Sequence, residues 1–154
     1  MDNMLVVYYS RSGNNKKIAQ EIASILKADI DEIVPEKPYH GFFGFMRAGY
    51  HAVKKKTVKI SSSKNPSSYS LVVIVSPLNV GSLPSPTRSY IKKNKLGKLA
   101  FFSCCGRGLA QKSLEQLKDL NLTPRESFFI SEKELRGDYH RKVREFCKAV
   151  KKIK

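Results

Sequence analysis

The amino-acid sequence predicts an α/β fold in which helices cover both faces of a parallel sheet. Short apolar runs of strand length alternate with segments of helical periodicity five times along the chain. The strongest runs are apolar at successive positions, as is typical of strands buried on both faces. Five such units are too few for an eight-stranded barrel, so an open doubly wound sheet is favoured. The length of 154 residues predicts a single domain spanning residues 1–154.

The first two strands and the helix between them are marked by apolar patterning and turn residues. Residues 4–9 form an apolar run of strand length, which is followed by a break at residues 13–15. Apolar residues then recur at helical spacing over residues 18–26. A second strand is predicted at residues 29–34, where two nearby prolines end it.

A second helix is predicted over residues 42–53, because its large apolar residues recur with a period of 3.6. These residues are Phe42, Phe43, Met46, Tyr50 and Val53. Packing of this face into the core is the favoured interpretation. The alternative is that the segment 42–46 forms a patch facing a partner, or a lid beside a ligand.

The second half of the chain continues the alternation with three further strands. Residues 71–75 are five apolar residues in a row, mostly β-branched. Ser85-Pro86 is typical of a helix start with proline in the first helical position. The same signals predict the remaining elements: strands at 99–102 and 127–130, a helix around 110–117 and a last helix over 139–150.

Three loops rich in Gly, Ser, Asn and Pro follow strands of this pattern, at residues 10–15, 76–84 and 103–108. In open parallel sheets, ligands bind beyond the carboxyl ends of the strands. The 10–15 loop has the properties of a phosphate cradle, because Gly13 permits close backbone approach and a helix begins directly after it. It lacks the Walker A and dinucleotide-binding glycine patterns. A purely structural turn is the alternative.

The charge of the chain is strongly positive and unevenly distributed. Lys and Arg number 29 against 13 Asp and Glu, a net charge of +16, and no acidic residue occurs between Glu36 and Glu115. Such a field favours phosphate-bearing ligands, nucleic acid, anionic membranes or acidic proteins. Surface lysines that serve only solubility are the alternative. Nucleic acid is the less favoured partner, because aromatic residues are not interleaved with the lysine-rich stretches.

The sequence also predicts the cellular compartment of the protein. No apolar run approaches the roughly 20 residues that span a bilayer, so we expect no membrane insertion. The amino terminus lacks the basic region and cleavage site of a secretion signal. Three cysteines without framework spacing are typical of a reducing compartment, and we expect a cytoplasmic protein.

The cysteines and histidines predict no metal site and no catalytic histidine. Cys104 and Cys105 are adjacent in the third loop, where small residues beside a ligand are favoured over reactive thiols. Cys147 lies on the apolar face of the last predicted helix and is expected in the core. The histidines have no ligand spacing; they are His40, His51 and His140.

Three motifs resemble the flavodoxin family. Its phosphate loop, Ser/Thr-x-Thr/Ser-Gly-Asn-Thr, is similar to residues 10–15, which read Ser-Arg-Ser-Gly-Asn-Asn. Residues 76–84 resemble its second flavin loop and residues 103–106 its third. Residues 44–50 are similar to a segment of single-domain flavodoxin-like proteins of microbes. The likeness spans nearly the whole chain.

The resemblance implies a three-layer α/β/α fold with a five-stranded parallel sheet of order 2-1-3-4-5, and non-covalent binding of FMN. The first loop would hold the phosphate, and the other two would flank the isoalloxazine ring. The implied cofactor-binding residues are Ser10, Arg11, Ser12, Gly13, Asn14, Asn15, Pro77, Leu78, Asn79, Val80, Gly81, Ser103, Cys104, Cys105 and Gly106.

The function that this resemblance implies is electron transfer between redox proteins, here with acidic partners because the chain is basic. An NAD(P)H-dependent FMN or quinone reductase on the same fold is the first alternative, although no separate nicotinamide motif is present. The second is a flavin-free basic binding module. It is favoured by Asn79, which stands where relatives commonly carry an aromatic residue, and by the absence of Trp.

Overall fold

Five parallel strands form the central sheet of the computed structural model, which describes residues 3–104 and 109–153. The elements in chain order are β1 (Met4–Tyr8), α1 (Asn14–Leu26), β2 (Asp29–Glu32), β3 (Val34–Pro35), α2 (Gly41–Val53), β4 (Ile60–Ser61), a 3₁₀ turn (Pro66–Ser68), β5 (Leu71–Pro77), α3 (Ser85–Lys93), β6 (Lys98–Cys104), α4 (Ala110–Asp119), β7 (Glu126–Ile130), α5 (Glu132–Arg136) and α6 (Tyr139–Lys152). The sheet order is β2-β1-β5-β6-β7. Counted among the parallel strands alone, this is the order 2-1-3-4-5, which confirms the predicted fold class.

Apolar side chains on both faces of the sheet explain the unbroken apolar runs in the sequence. On β1, Val6 faces a cluster that includes Ile22 of α1 and Phe146 of α6. Val7, the next residue, faces the opposite cluster with Tyr90 of α3. Because successive side chains of a strand point to opposite faces, a strand between two helical layers needs apolar residues at every position.

The second strand is shorter than the sequence predicts. Its pairing with β1 ends where Tyr8 lies opposite Glu32, because β1 itself ends there. Val34 and Pro35 leave the sheet and pair antiparallel with Ser61 and Ile60. The predicted strand at 29–34 therefore divides into β2 and one arm of a small hairpin.

Helix α2 forms where the sequence predicts it, but the prediction that its aromatic face packs into the core is wrong. The residues that α2 buries are small: Gly44, Ala48 and Ala52. Phe43 is 84% exposed and Phe42 is 70% exposed. The helix lies so close to the preceding loop that a Cβ on Gly44 would be 2.6 Å from the backbone carbon of Tyr39. Only small residues fit such an approach, so the large residues face outward.

Helix α5 was not expected from apolar periodicity, because it is only one and a half turns long and buries no residue. It begins at a capping box in which Glu134 N–H donates to Ser131 Oγ and Ser131 N–H donates to Glu134 Oε2. These bonds hold the pKa of Glu134 below its usual value. None of the helices in the described part of the chain has the length and apolar character needed to cross a bilayer.

Candidate functional site

The candidate site lies where three neighbouring strands end at the carboxyl edge of the sheet. Strand β1 pairs with β5, and β5 pairs with β6, so their carboxyl ends lie side by side. The chain leaves β1 toward β2 on one side and returns in β5 on the other, which makes this edge the topological switch point. A cleft of about 420 Å³ opens here, within the size range of small-molecule sites.

The cleft brings together predicted site residues from all three predicted loops. Those that line it are Ser12, Asn14, Asn15, Pro77, Leu78 and Cys104. Cys105 and Gly106, which the sequence analysis also names, lie outside the described residues.

The first loop turns sharply into helix α1. Gly13 has φ = 94°, a left-handed conformation that glycine adopts without steric cost, and a Cβ there would point into open space. Its N–H donates to Ser10 Oγ at 2.9 Å. The first intrahelical bond runs from Lys17 N–H to Gly13 O.

Three backbone amides at the start of α1 have no hydrogen-bond acceptor among the described residues. They belong to Asn14, Asn15 and Lys16. The first amides of a helix point along its axis and carry part of its positive dipole, so they form an anion-binding site. No acidic residue lies in the first turn to satisfy them. This geometry fits a phosphate group.

The Asn15 side chain adds a second unsatisfied group beside these amides. It is 5% exposed, and its buried Oδ1 has no hydrogen-bond partner among the described residues. The two amide orientations are nearly isosteric, so the same position can present either an acceptor or a donor. A polyol phosphate carries donor hydroxyls and acceptor oxygens, so it would supply the missing hydrogen bond to the Asn15 amide in either orientation.

The second loop contains a tight hairpin turn with an unusual residue at its tip. Asn79 and Ser82 exchange backbone hydrogen bonds of 2.8 and 2.9 Å. Val80 and Gly81 between them have φ of 51° and 73°. Positive φ at both central residues is the type I′ geometry. For a β-branched residue such as Val80 this conformation is strained, and strain of this kind concentrates at functional loops.

Replacing Val80 by asparagine is expected to raise the free energy of unfolding by about 1 kcal/mol, because Asn-Gly is the preferred type I′ pair and tolerates left-handed backbone. Chemical denaturation measures the change. The control is Val34→Asn, which alters a partly exposed valine in the extended strand β3 and should destabilise the protein. A loss of stability in Val80→Asn as large as in this control would contradict the strain argument.

A buried polar network holds the second loop from below. Gln116 of α4 accepts hydrogen bonds at 2.9 Å from Leu83 N–H and from the Arg88 guanidinium, and donates to Ser82 Oγ. Arg88 is 3% exposed and forms no ion pair within the described chain. Burial lowers its pKa, although Asp119 acts in the opposite direction. One glutamine thus joins α3, α4 and the loop.

The side chains at the end of β6 differ in what they can contact. Ser103 is fully buried and donates its hydroxyl to Ser76 O, so it fixes the ends of β5 and β6 to one another. Cys104 is half-buried and lines the cleft. Cys147 lies in the core, where burial raises its pKa to about 11, as expected for a structural thiol.

Helix α5 supplies one wall of the cleft that the sequence analysis missed. This wall consists of Glu132, Leu135 and Arg136. The signal that would have found it is the Ser-x-x-Glu capping box at 131–134, which marks a helix start without any apolar period.

Arg11 and the histidines lie apart from the cleft lining. The Arg11 guanidinium stacks on the ring of Phe45 in α2, 4.9 Å from its centre. His51 Nδ1 lies 2.8 Å from the Tyr39 hydroxyl, and His140 Nδ1 lies 2.8 Å from a Glu21 carboxylate oxygen. Within residues 3–104 and 109–153, no three potential metal ligands group together.

The chain matches a known protein family over most of its length. The family model described as flavodoxin matches residues 3–118, about three-quarters of the chain. No curated protein matches the chain.

Solved structures share the fold at low sequence identity. A flavoprotein of Lactobacillus acidophilus, solved in complex with FMN, has a TM-score of 0.70 and 19% identity, covering 88% of this chain and 97% of its own. A Bacteroides uniformis protein assigned as a flavoprotein has a TM-score of 0.78 and 17% identity, with coverage of 95% and 97%. The two-electron reduced flavodoxin of Megasphaera elsdenii has a TM-score of 0.56 and 16% identity, with coverage of 95% and 96%.

Proposed function

This chain belongs to the flavodoxin family, and on that basis we propose that it binds FMN non-covalently and transfers electrons between redox proteins. The observation that carries the proposal is the set of unpartnered amides at Asn14, Asn15 and Lys16, at the topological switch point of the sheet. A phosphate held there would accept hydrogen bonds from groups that have no other acceptor in the described chain.

The residues around the cradle have distinct roles in this proposal. Ser12 and Asn14 line the cleft, and their polar side chains would hold the phosphate and ribityl chain of FMN. Ser10 holds the turn through its bond from Gly13 N–H. Asn15 would bind a ribityl hydroxyl through its buried amide.

The remaining cleft walls are suited to a flat ring. Pro77, Leu78 and Leu135 provide apolar surface, and Cys104 contributes a small side chain beside them. Apolar walls exclude water from a ring that they cover, which strengthens the electrostatic influence of nearby groups. FMN, when bound, supplies the reversible redox chemistry; the protein supplies binding, orientation and electrostatics.

The positive charge of the chain indicates which class of protein it would bind. The chain carries +16, and two of the three predicted loops of the candidate site, 76–84 and 103–108, belong to a chain segment without acidic residues from residue 37 to residue 114. Complementary charge accelerates encounter and disfavours wrong partners. We therefore propose acidic redox proteins as the partners of this protein.

Comparison of FMN with riboflavin tests the proposal, since riboflavin lacks only the phosphate. We expect FMN to bind at least a hundred times more tightly, because two charge-assisted hydrogen bonds contribute roughly 3 kcal/mol or more. Quenching of flavin fluorescence on titration with the apoprotein measures both dissociation constants. Equal affinities would contradict the phosphate cradle, and no binding of either flavin would favour a flavin-free binding module.

A second measurement separates the carrier from a reductase. The FMN-loaded protein is mixed with NADPH or NADH in a stopped-flow instrument while the flavin absorbance is followed. Typical enzymes turn over at about 1–1000 per second. In a carrier, the flavin absorbance should not be bleached at rates in this range. Rapid bleaching with either nucleotide would contradict the carrier and favour an NAD(P)H-dependent reductase.

A further inference from the structure

The outward face of α2 is unusually apolar for an exposed surface. We call the α2 face the six exposed side chains Phe42, Phe43, Phe45, Met46, Tyr50 and Val53. Their exposed fractions range from 52% to 84%. Of the other large apolar side chains in the described chain, only Val34 and Val80 are exposed. A contiguous exposed apolar surface of this kind marks an interaction site.

The α2 face adjoins the candidate cofactor site. Arg11 of the first loop stacks on Phe45, with its guanidinium 4.9 Å from the ring centre. One turn further along the same side of α2, a Cβ on Gly49 would lie 3.5 Å from Val80 Cγ2 at the tip of the second loop. A protein that covers the α2 face would therefore also come close to the first and second loops of the candidate site.

Cations border the α2 face. Lys56 Nζ lies 5.0 Å from the centre of the Tyr50 ring, and Arg11 contacts Phe45. Lys54 follows directly after the helix. The neighbouring Lys55 pairs with Asp119 at 3.9 Å, through exposed side chains. The acid-free segment from residue 37 to residue 114 contains the whole helix.

This charge distribution selects among possible occupants. A second copy of the chain, bound through the same face, would bring the cations of both copies together, which is unfavourable. A partner that presents carboxylates around an apolar centre complements both properties of the surface.

We infer that the α2 face is the docking surface for an acidic electron-transfer protein. The aromatic side chains form the desolvated centre of the interface, and Arg11, Lys54 and Lys56 pair with carboxylates at its rim. This inference rests on the proposed function, because the advantage of docking here is closeness to the bound flavin. Each transfer moves one electron from the reduced flavin to the acceptor, with no bond broken.

The acidic haem protein cytochrome b5 serves as the probe, with the basic cytochrome c as the like-charged comparison. Isothermal titration calorimetry measures binding to the FMN-loaded protein at low ionic strength. Stopped-flow mixing with the photoreduced protein measures reduction of ferric to ferrous haem, one electron per haem. We expect tighter binding and faster reduction with cytochrome b5, and a rate that falls as salt is added.

Two variants test the two parts of the surface. Phe42→Ser combined with Phe43→Ser should raise the dissociation constant for cytochrome b5 at least tenfold, since buried aromatic residues dominate interface affinity. Lys54→Glu combined with Lys56→Glu should slow haem reduction at least tenfold and remove its salt dependence.

Matched controls lie elsewhere in the chain. Val34→Ser removes an exposed apolar residue outside the α2 face. Lys151→Glu with Lys152→Glu makes the same charge change in the last turn of α6, in the opposite helical layer. Both controls should stay within twofold of the wild-type values.

FMN titration of each protein separates the two proposals. A wild-type chain that binds no FMN contradicts the proposed function itself. Two outcomes contradict only the docking surface when FMN binding is intact. In the first, the wild type fails to prefer cytochrome b5. In the second, the phenylalanine variant binds cytochrome b5 as tightly as the wild type does. Weaker FMN binding in the phenylalanine variant would show that the α2 face covers the flavin instead.

Two further outcomes would also overturn the inference. The first is a wild-type dimer in analytical ultracentrifugation that the phenylalanine variant dissociates. The second is sedimentation with phosphatidylserine-containing vesicles that the same variant abolishes, because the α2 face would then bind a membrane.

Discussion

Gly13→Val is expected to bind FMN at least a hundred times more weakly than the wild-type chain. The position has φ = 94°, and a Cβ there would meet no atom of the described residues within 4 Å, so the expected effect comes from the backbone conformation. Valine disfavours this backbone conformation, so the turn that presents the unpartnered amides would have to change its geometry. Loss of two charge-assisted hydrogen bonds, about 1.5–3 kcal/mol each, accounts for the magnitude. Flavin fluorescence titration measures the dissociation constant.

Gly41→Val is the matched control for backbone strain. Gly41 also has positive φ, at 64°, and a Cβ there would likewise meet nothing within 4 Å. Both variants should lose about 1–2 kcal/mol of stability, but Gly41→Val should keep its FMN affinity within about twofold. Circular dichroism and thermal unfolding confirm that both are folded. An unchanged FMN dissociation constant in Gly13→Val would mean that the phosphate lies elsewhere.

Gln116→Leu is expected to lower the free energy of unfolding by about 3–5 kcal/mol. The side chain is 5% exposed and accepts hydrogen bonds from both Leu83 N–H and Arg88. Leucine would leave a buried amide and a buried cation without an acceptor, and each carries a desolvation penalty. For a domain of this size the melting temperature should fall by about 10 °C. Urea denaturation and calorimetry measure the two quantities.

Two further variants separate the network from a general effect of the substitution. Gln111→Leu alters an exposed glutamine of the same helix and should change stability by less than about 0.5 kcal/mol. Combining Gln116→Leu with Arg88→Met removes the buried cation together with its acceptor, and should restore part of the lost stability. If the double variant is no more stable than Gln116→Leu, the unpaired Arg88 charge does not account for the loss.

The sheet and the first two loops were predictable because their signals are local in sequence. A strand buried on both faces must be apolar at successive positions, and residues 71–75 satisfy this without alternation. The glycine and hydroxyl residues at 10–15 indicate a turn into a helix wherever the rest of the chain folds. Ser12, Asn14, Pro77 and Leu78 accordingly line one cleft.

The orientation of α2 was not predictable from its own sequence. The large residues and the small residues both recur at helical spacing, so the pattern allows either face to point inward. The close approach of the Tyr39 backbone to Gly44 decides between them, and that contact depends on tertiary structure. The general preference for large apolar residues inside therefore gave the wrong face.

The wall formed by α5 escaped prediction for a different reason. None of its five residues is buried, so its sequence has no apolar residues recurring at helical spacing. The Gln116 network also escaped, since nothing in the α4 sequence separates this buried glutamine from the exposed Gln111. Buried polar groups are specified by partners that are distant in sequence, and a single sequence does not reveal such pairs.

The register of the two central strands has a consequence for how the chain acquires its structure. Met4 pairs with Leu71, so the amino-terminal strand gains its inner neighbour only after nearly half of the chain has been synthesised. Until then β1 can pair only with β2, and its other edge remains open to non-native pairing. Closing so long a loop is entropically costly, and parallel sheets therefore fold slowly compared with helical bundles. Ribosome-bound nascent chains that end before residue 71 should accordingly be the species most prone to aggregation.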